Sequence, residues 1–214
     1  MLTQDDLLVQ NTIPLIRDVS LKLYKDFSED VLLKRKFHYY FSDDSDIFIE
    51  FREWGIYHML AMQHINYRID NDSFFDAIDN GLDLSTFRSD AGMNNRFKSY
   101  KTRIASFSCI YDSLLNGTAF YLPSGKVKNT ANVKSDYILY NNIDGKGINY
   151  GLQLNNNILI PVTTLIAKKK DPIVYLEDST FKLIQKVDVI DNTGDIIESK
   201  VHNTQINPLV EQSI

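Results

Sequence analysis

Apolar residues recur every three or four positions in several parts of the first half of the chain, the spacing of a helix face. Residues 4–29 follow this spacing on both sides of Pro14. We predict two helices there, with Pro14 between them or in the first turn of the second. Residues 52–65 are apolar on most sides, which predicts a buried helix.

The clearest helical pattern covers residues 94–116 and places its aromatic and aliphatic residues on one face. The dipeptide Asn116-Gly117 is a typical helix end. A shorter helix is predicted over residues 71–80, with Asn71 or Asp72 as its N-cap. Residues 81–93 are polar and predict a loop or short helix.

Short runs of strand-forming residues make up most of the remaining chain. Residues 36–41 and 47–51 flank a polar turn and predict a β-hairpin. After the long helix, turn-type clusters separate six further candidate strands. These are 119–122, 137–140, 148–154, 158–160, 172–176 and 181–190. Helices first and strands afterwards indicate an α+β fold, with N-terminal helices and a long central helix packed on an antiparallel sheet.

The same patterns divide the 214 residues into three parts. Residues 1–30 form an N-terminal helical extension, residues 31–190 a single domain, and residues 191–214 a polar tail. The single cysteine, Cys109, excludes a disulfide within the chain. The first residues lack a signal-peptide pattern, and no apolar run is long enough to span a bilayer. We therefore expect a cytoplasmic protein without membrane contact.

Charge is distributed unevenly. Residues 1–90 carry 9 Lys/Arg and 17 Asp/Glu, whereas residues 91–190 carry 13 Lys/Arg and 7 Asp/Glu. The net charge of −5 argues against a protein that coats nucleic acid without specificity. The basic middle is either a positive face or ordinary surface variation.

The candidate chemistry centres on His58, which lies in the apolar helical segment 52–65. It is either a hydrogen-bonded core histidine or a general acid or base whose pKa is shifted by burial. In one continuous helix, His64 would point about 240° away from His58, so we predict no shared metal site. The chain has no phosphate-binding glycine loop, nucleophile elbow or Cys/His metal spacing, so we expect neither a metal nor a cofactor.

Several segments resemble, in order, the motifs of a nuclease family found in phages and mobile elements. That family belongs to the barnase/EndoU/colicin/RelE-like group, and the similarity covers roughly residues 35–190. The similar segments are 51–63 (FREWGIYHMLAMQ), 96–107 (RFKSYKTRIASF), 134–139 (KSDYIL), 150–154 (YGLQL), 160–165 (IPVTTL) and 181–190 (FKLIQKVDVI). The chain departs from the family pattern at Ala61, where glycine is usual, and at Thr163, where serine is usual.

The resemblance implies a metal-independent ribonuclease that acts by attack of the ribose 2′-OH and leaves a 2′,3′-cyclic phosphate. It implies His58 as acid or base, Arg103 as the phosphate-holding cation, and Ser135 and Thr163 as orienting hydroxyls. Substrate contacts are expected from three further residues, which are Lys101, Lys134 and Tyr137.

The expected partners are RNA, such as a tRNA or a messenger RNA, and a neutralising or target protein. A toxin-like or defence-related role follows from the same resemblance. Two alternatives remain open from the residues. One is a non-catalytic protein that binds a host or phage factor, and the other is an acidic inhibitor of a nucleic-acid-binding complex.

Overall fold

A computed structural model describes residues 1–66, 68–130, 132–203 and 207–211. The helices are α1 (Gln4–Val9), α2 (Leu21–Phe27), α3 (Glu53–Met59), α4 (Met62–Ile65), α5 (Phe74–Asp79), α6 (Leu84–Ser89), α7 (Ala91–Ser106), α8 (Ile110–Asn116) and α9 (Pro208–Glu211). The strands are β1 (Lys36–Phe41), β2 (Asp46–Glu50), β3 (Thr118–Tyr121), β4 (Tyr137–Ile143), β5 (Lys146–Asn155), β6 (Ile158–Ile166), β7 (Thr180–Lys182), β8 (Ile184–Ile190) and β9 (Ile196–Val201).

The strands form one sheet in the order β7-β3-β4-β5-β6-β2-β1-β8-β9. The coarse prediction of an α+β protein is confirmed, but the sheet is mixed where an antiparallel one was expected. β2 and β6 are parallel, with Phe48 opposite Ile158 and Ile49 opposite Leu159. The chain between them contains α3 to α8 and β3 to β5, which provides the long crossover that parallel pairing needs.

Residues 1–30 pack into the same hydrophobic core as the helices and strands that follow. Leu7, Leu21, Tyr24 and Phe27 are fully buried. The Tyr24 ring meets the Phe107 ring edge-on, with 5.0 Å between the centroids. A short π-helical turn, Ser28–Leu32, leads from α2 toward β1.

The predicted helix over 94–116 is present, but it is longer and divided. The Asp90 side chain accepts hydrogen bonds from the amides of Gly92 and Met93 and so starts α7 at Ala91. A 3₁₀ turn at Phe107–Cys109 separates α7 from α8.

Four other predictions need correction. Residues 172–175 form turns and Leu176 belongs to no strand, and Leu183 interrupts the predicted strand over 181–190. α5 has Ser73 at its N-cap position, where Asn71 or Asp72 was expected. The predicted polar tail contains β9, whose six residues are all exposed, so no burial pattern marks it as a strand. Residues 204–206 and 212–214 of that predicted tail lie outside the described residues.

The predicted single helix over 52–65 is broken between α3 and α4. Ala61 adopts a left-handed conformation, with φ 61° and ψ 26°, and is completely buried. An L-residue pays about 1–2 kcal/mol for this conformation, whereas glycine adopts it freely. Because of this break, α4 does not continue along the axis of α3.

We predict that Ala61→Gly leaves the free energy of unfolding nearly unchanged. The relief of the left-handed strain offsets the loss of a buried methyl group, worth about 0.8 kcal/mol. Ala61→Val should destabilise the protein by about 2 kcal/mol or more, because a β-branched residue fits neither the backbone nor the packing. Urea unfolding would measure both variants.

Ala105 provides the matched control, because it is buried within the regular helix α7. Ala105→Gly should cost about 1 kcal/mol or more. Equal losses for Ala61→Gly and Ala105→Gly would contradict the assigned role of the left-handed backbone.

Candidate functional site

An open cleft of about 490 Å³ lies between the α3–α4 turn, α7, β6 and the chain that leads into β4. Its walls combine aromatic, apolar and basic side chains. They are Trp54, His58, Gln63, His64, Tyr100, Arg103, Val133, Lys134, Gln153, Val162, Thr163 and Leu165. None of these lining residues is acidic, although the chain has 28 Asp and Glu in all. The cleft is therefore suited to an anion.

Close packing of α3 on β6 places His58 beside Thr163. At Gly55 the helix approaches the strand so closely that a Cβ atom would lie 2.4 Å from the Pro161 carbonyl oxygen. On the next strand, a Cβ at Gly151 would lie 2.7 Å from the Thr163 methyl group. Both positions therefore need glycine to keep this wall of the cleft in place.

Arg103 links the three elements that form the cleft. Its Nε donates to the Met59 carbonyl at 2.9 Å, and its Nη2 donates to the His58 carbonyl and, at 3.1 Å, to the Thr163 hydroxyl. Both carbonyls belong to the last turn of α3: the His58 carbonyl also accepts from the Ala61 amide at 3.0 Å, and no described amide donates to the Met59 carbonyl. The guanidinium therefore caps α3 and fixes it to α7 and β6.

The charge of Arg103 is buried without a carboxylate partner among the described residues. The side chain is only 9% exposed, and burial lowers the pKa of its guanidinium to about 10. Nη1 makes no hydrogen bond to any residue that the structure describes. A buried cation with unused donors at the wall of a cleft attracts an anion, and a guanidinium matches two oxygens of a phosphate.

His58 and His64 both line the cleft. The argument that they point in different directions is wrong because it assumed one continuous helix, and the turn at Ala61 redirects α4. Desolvation lowers the pKa of both imidazoles, and the positive charge of Arg103 lowers both further. The Gln63 side chain raises the pKa of His58, because it offers a hydrogen-bond acceptor to the protonated ring. Both histidines are therefore mainly neutral near pH 7.

Two aromatic residues frame the histidines. His64 stacks on Tyr100, with 5.2 Å between the centroids and an angle of 10°. Trp54 meets His58 edge-on at 6.2 Å. Gln63 Oε1 is buried without a hydrogen-bond partner in the described part of the chain. It offers an acceptor to a protonated imidazole or to a ligand.

The structure brings together four of the residues that the sequence singled out. His58, Arg103, Thr163 and Lys134 line the cleft. Ser135 does not line it and is only 1% exposed. Its hydroxyl lies 2.6 Å from the Tyr137 carbonyl and 3.0 Å from the Leu152 carbonyl, so its hydrogen is held within the sheet.

Lys101 and Tyr137 also lie outside the cleft. Lys101 is exposed and borders a different depression, which it shares with Pro14 and Lys146. The Tyr137 ring packs against the Tyr121 ring with 5.2 Å between the centroids. Of the two α7 cations that the sequence proposed for the site, Arg103 lines the cleft and Lys101 does not.

Sequence reasoning missed His64, Gln63, Trp54 and Tyr100 as members of the site. The spacing between His64 and Tyr100 carries no local signal, because α4 and α7 meet only in the folded chain. The motif that residues 51–63 resemble usually has a glycine at position 61, and this was the available signal for a turn there. A glycine there is consistent with a left-handed turn, and such a turn brings α4 toward the same side as α3.

No known protein family, curated protein or solved structure matches this chain. Among the described residues, no helix combines the length and apolar character needed to cross a bilayer.

The lowered histidine pKa values predict a loss of stability as the pH falls through about 6.5, the ordinary histidine value. Below that pH the unfolded chain binds protons that folded His58 and His64 resist, so protonation favours unfolding. The double variant His58→Gln/His64→Gln should lose less stability between about pH 7 and pH 5. Urea unfolding at each pH measures this, and an unchanged dependence would contradict it.

A second prediction concerns anion binding in the cleft. Inorganic phosphate bound at Arg103 adds negative charge beside both imidazoles, so the pKa values of His58 and His64 should rise by about 0.5 or more. Histidine proton NMR titrations with phosphate, against chloride at equal ionic strength, would detect the change. His202 lies outside the cleft, and its titration should stay the same in both salts. Equal shifts for all three histidines would indicate nonspecific ion binding.

Proposed function

We propose that this cleft binds a phosphodiester of RNA and cleaves it without a metal, through attack of the ribose 2′-OH. The observation that carries the proposal is the buried Arg103, which has unused donors and no carboxylate partner in the described chain, beside two cleft histidines. The resemblance of residues 35–190 to phage and mobile-element nucleases supports the same function.

In this mechanism the two histidines divide the two proton transfers between them. One neutral imidazole takes the proton of the 2′-OH while the 2′ oxygen forms a bond to phosphorus. The other, in its protonated form, gives a proton to the 5′ oxygen as the bond from phosphorus to that oxygen breaks. The products are a 2′,3′-cyclic phosphate and a free 5′-OH. The bound phosphate raises the histidine pKa values and so supplies the protonated partner.

Arg103 stabilises the charge that develops on the phosphorane oxygens. Its guanidinium is already held by α3 and Thr163, so it needs little rearrangement when substrate binds. Thr163 acts as the orienting hydroxyl by fixing the guanidinium. Ser135 has a structural part in this proposal, because its hydroxyl is bound within the sheet.

The walls of the cleft favour a single-stranded or looped RNA. Exposed Lys134 offers a cation for a neighbouring phosphate, and the rings of Trp54 and Tyr100 offer surfaces for base stacking. The acidic remainder of the chain weakens nonspecific RNA binding, which favours a shaped substrate such as a tRNA or a ribosome-bound message. A toxin or defence function in the cytoplasm, with a neutralising protein, fits this activity.

A second candidate is a non-catalytic protein that binds a phosphate-bearing partner. The contacts of Arg103 with the end of α3 favour it, because they give this residue a structural reason to be there without catalysis. RNA binding without cleavage is the outcome that separates the two candidates.

We expect the purified chain to cleave single-stranded RNA in the presence of EDTA. His58→Gln and His64→Gln should each slow cleavage by about 10²–10⁴-fold, because each removes one proton-transfer group. Gel electrophoresis and mass spectrometry would measure the rate and identify the 2′,3′-cyclic phosphate. Lys134→Ala should mainly raise KM.

His38→Gln is the matched control. His38 stacks on Phe48 in the β1–β2 hairpin, outside the cleft, so this variant should cleave at the wild-type rate. Circular dichroism would establish that each variant is folded. Tight RNA binding by fluorescence anisotropy with no cleavage by the wild-type chain would contradict the ribonuclease and favour the second candidate.

A further inference from the structure

The outermost strand, β9, is unusual for the edge of a sheet. It pairs with β8 on one side, and no described strand pairs with the other. All six of its residues are exposed, and Ile196, Ile197 and Val201 are among the most exposed large apolar residues of the described chain. An edge with free backbone groups and apolar side chains is a template for pairing with another strand.

The backbone of β9 has a defined outward-facing set of hydrogen-bonding groups. The His202 amide donates to the Gln185 carbonyl at 2.8 Å, which fixes the residues that face β8. In an antiparallel ladder these residues alternate, so Lys200 and Glu198 also direct their backbone groups toward β8. The amides and carbonyls of Ser199 and Val201 therefore point to the open edge.

The sequence of β9 is complementary to itself in the antiparallel direction. A two-fold axis through Ser199 places Glu198 opposite Lys200 of a second copy, and Lys200 opposite Glu198. The β8–β9 ladder shifts register at Ile197, so the regular part of the edge is Glu198–Val201, and Ile197 comes near Val201 of the second copy at the end of this segment. Ser199 then faces itself as a hydrogen-bonded pair. The Glu–Lys pairs fall at the closer positions, where the Cα atoms are about 4.5 Å apart and side chains interact best.

The contacts within one copy leave these charges available. Glu198 Oε2 accepts a hydrogen bond from the Tyr111 hydroxyl at 2.7 Å, which orients the carboxylate and leaves Oε1 without a described partner. Lys200 forms no ion pair within the described residues. We propose that two copies of this chain associate through β9, in antiparallel register about Ser199, and join their sheets into one.

The association can be tested by exchanging the charges. Lys200→Glu and Glu198→Lys should each abolish the dimer, because each puts like charges opposite one another at both positions. A mixture of the two variants should form a heterodimer, because both positions then pair Glu with Lys. Analytical ultracentrifugation of the full chain, of 24.7 kDa per copy, would measure each state.

We expect a wild-type dimer with a Kd on the order of 10 µM, since the short paired segment of each copy forms a small interface. Val201→Pro should also yield a monomer, because it removes an outward-facing amide and no bond to β8. Lys98→Glu on the exposed face of α7 is the control for charge alone and should dimerise like wild type.

Melting curves would show that each variant is folded. A wild-type chain that is monomeric up to its solubility limit would overturn the proposal. So would a dimer that persists in both single-charge variants. Dimerisation does not depend on RNA cleavage, so His58→Gln should dimerise normally.

Discussion

The contact between Arg103 and the end of α3 connects the fold of this protein to its cleft. The guanidinium donates to two carbonyls at the end of α3, that of Met59, which no described amide reaches, and that of His58, which also accepts from the Ala61 amide. The same group reaches Thr163 on β6. Because α7 carries Arg103, a single side chain holds α3, α7 and β6 at the distance that forms the cleft.

That contact depends on the backbone turn that follows α3. The left-handed Ala61 follows the end of α3, donates its amide to the His58 carbonyl, and redirects α4 so that His64 joins His58 at the cleft. The buried charge is costly in the absence of a carboxylate. It lies at the wall of an open cleft, where Nη1 has no described partner and is left available to an anion.

The described walls of the cleft differ in charge from the rest of the chain. Acidic residues are numerous in the first ninety positions, yet the described walls of the cleft contain none. Lys134 and Arg103, both from the basic middle of the sequence, lie in the cleft, whereas Lys101 faces another surface. The basic middle of the sequence therefore contributes two cations to this cleft, and the geometry of the folded chain selects which ones.

Local patterns were enough to predict the α+β class, the hairpin of β1 and β2, the central helices, and most strands of the sheet, because periodicity and turn residues are local signals. The sequence also singled out His58, Arg103, Thr163 and Lys134, through the resemblance of ordered motifs, and the folded chain brings these four residues to one cleft. Ser135, Lys101 and Tyr137 lie outside that cleft, because the direction of a strand or helix side chain depends on the elements packed around it.

The parallel pairing of β2 with β6, the break at Ala61, and the meeting of His64 with Tyr100 were decided only by the tertiary structure. Each joins segments that are distant in the chain or requires a backbone conformation that alanine rarely adopts. Local patterns cannot encode such contacts, because the energy that selects them comes from packing formed only when the whole core is assembled.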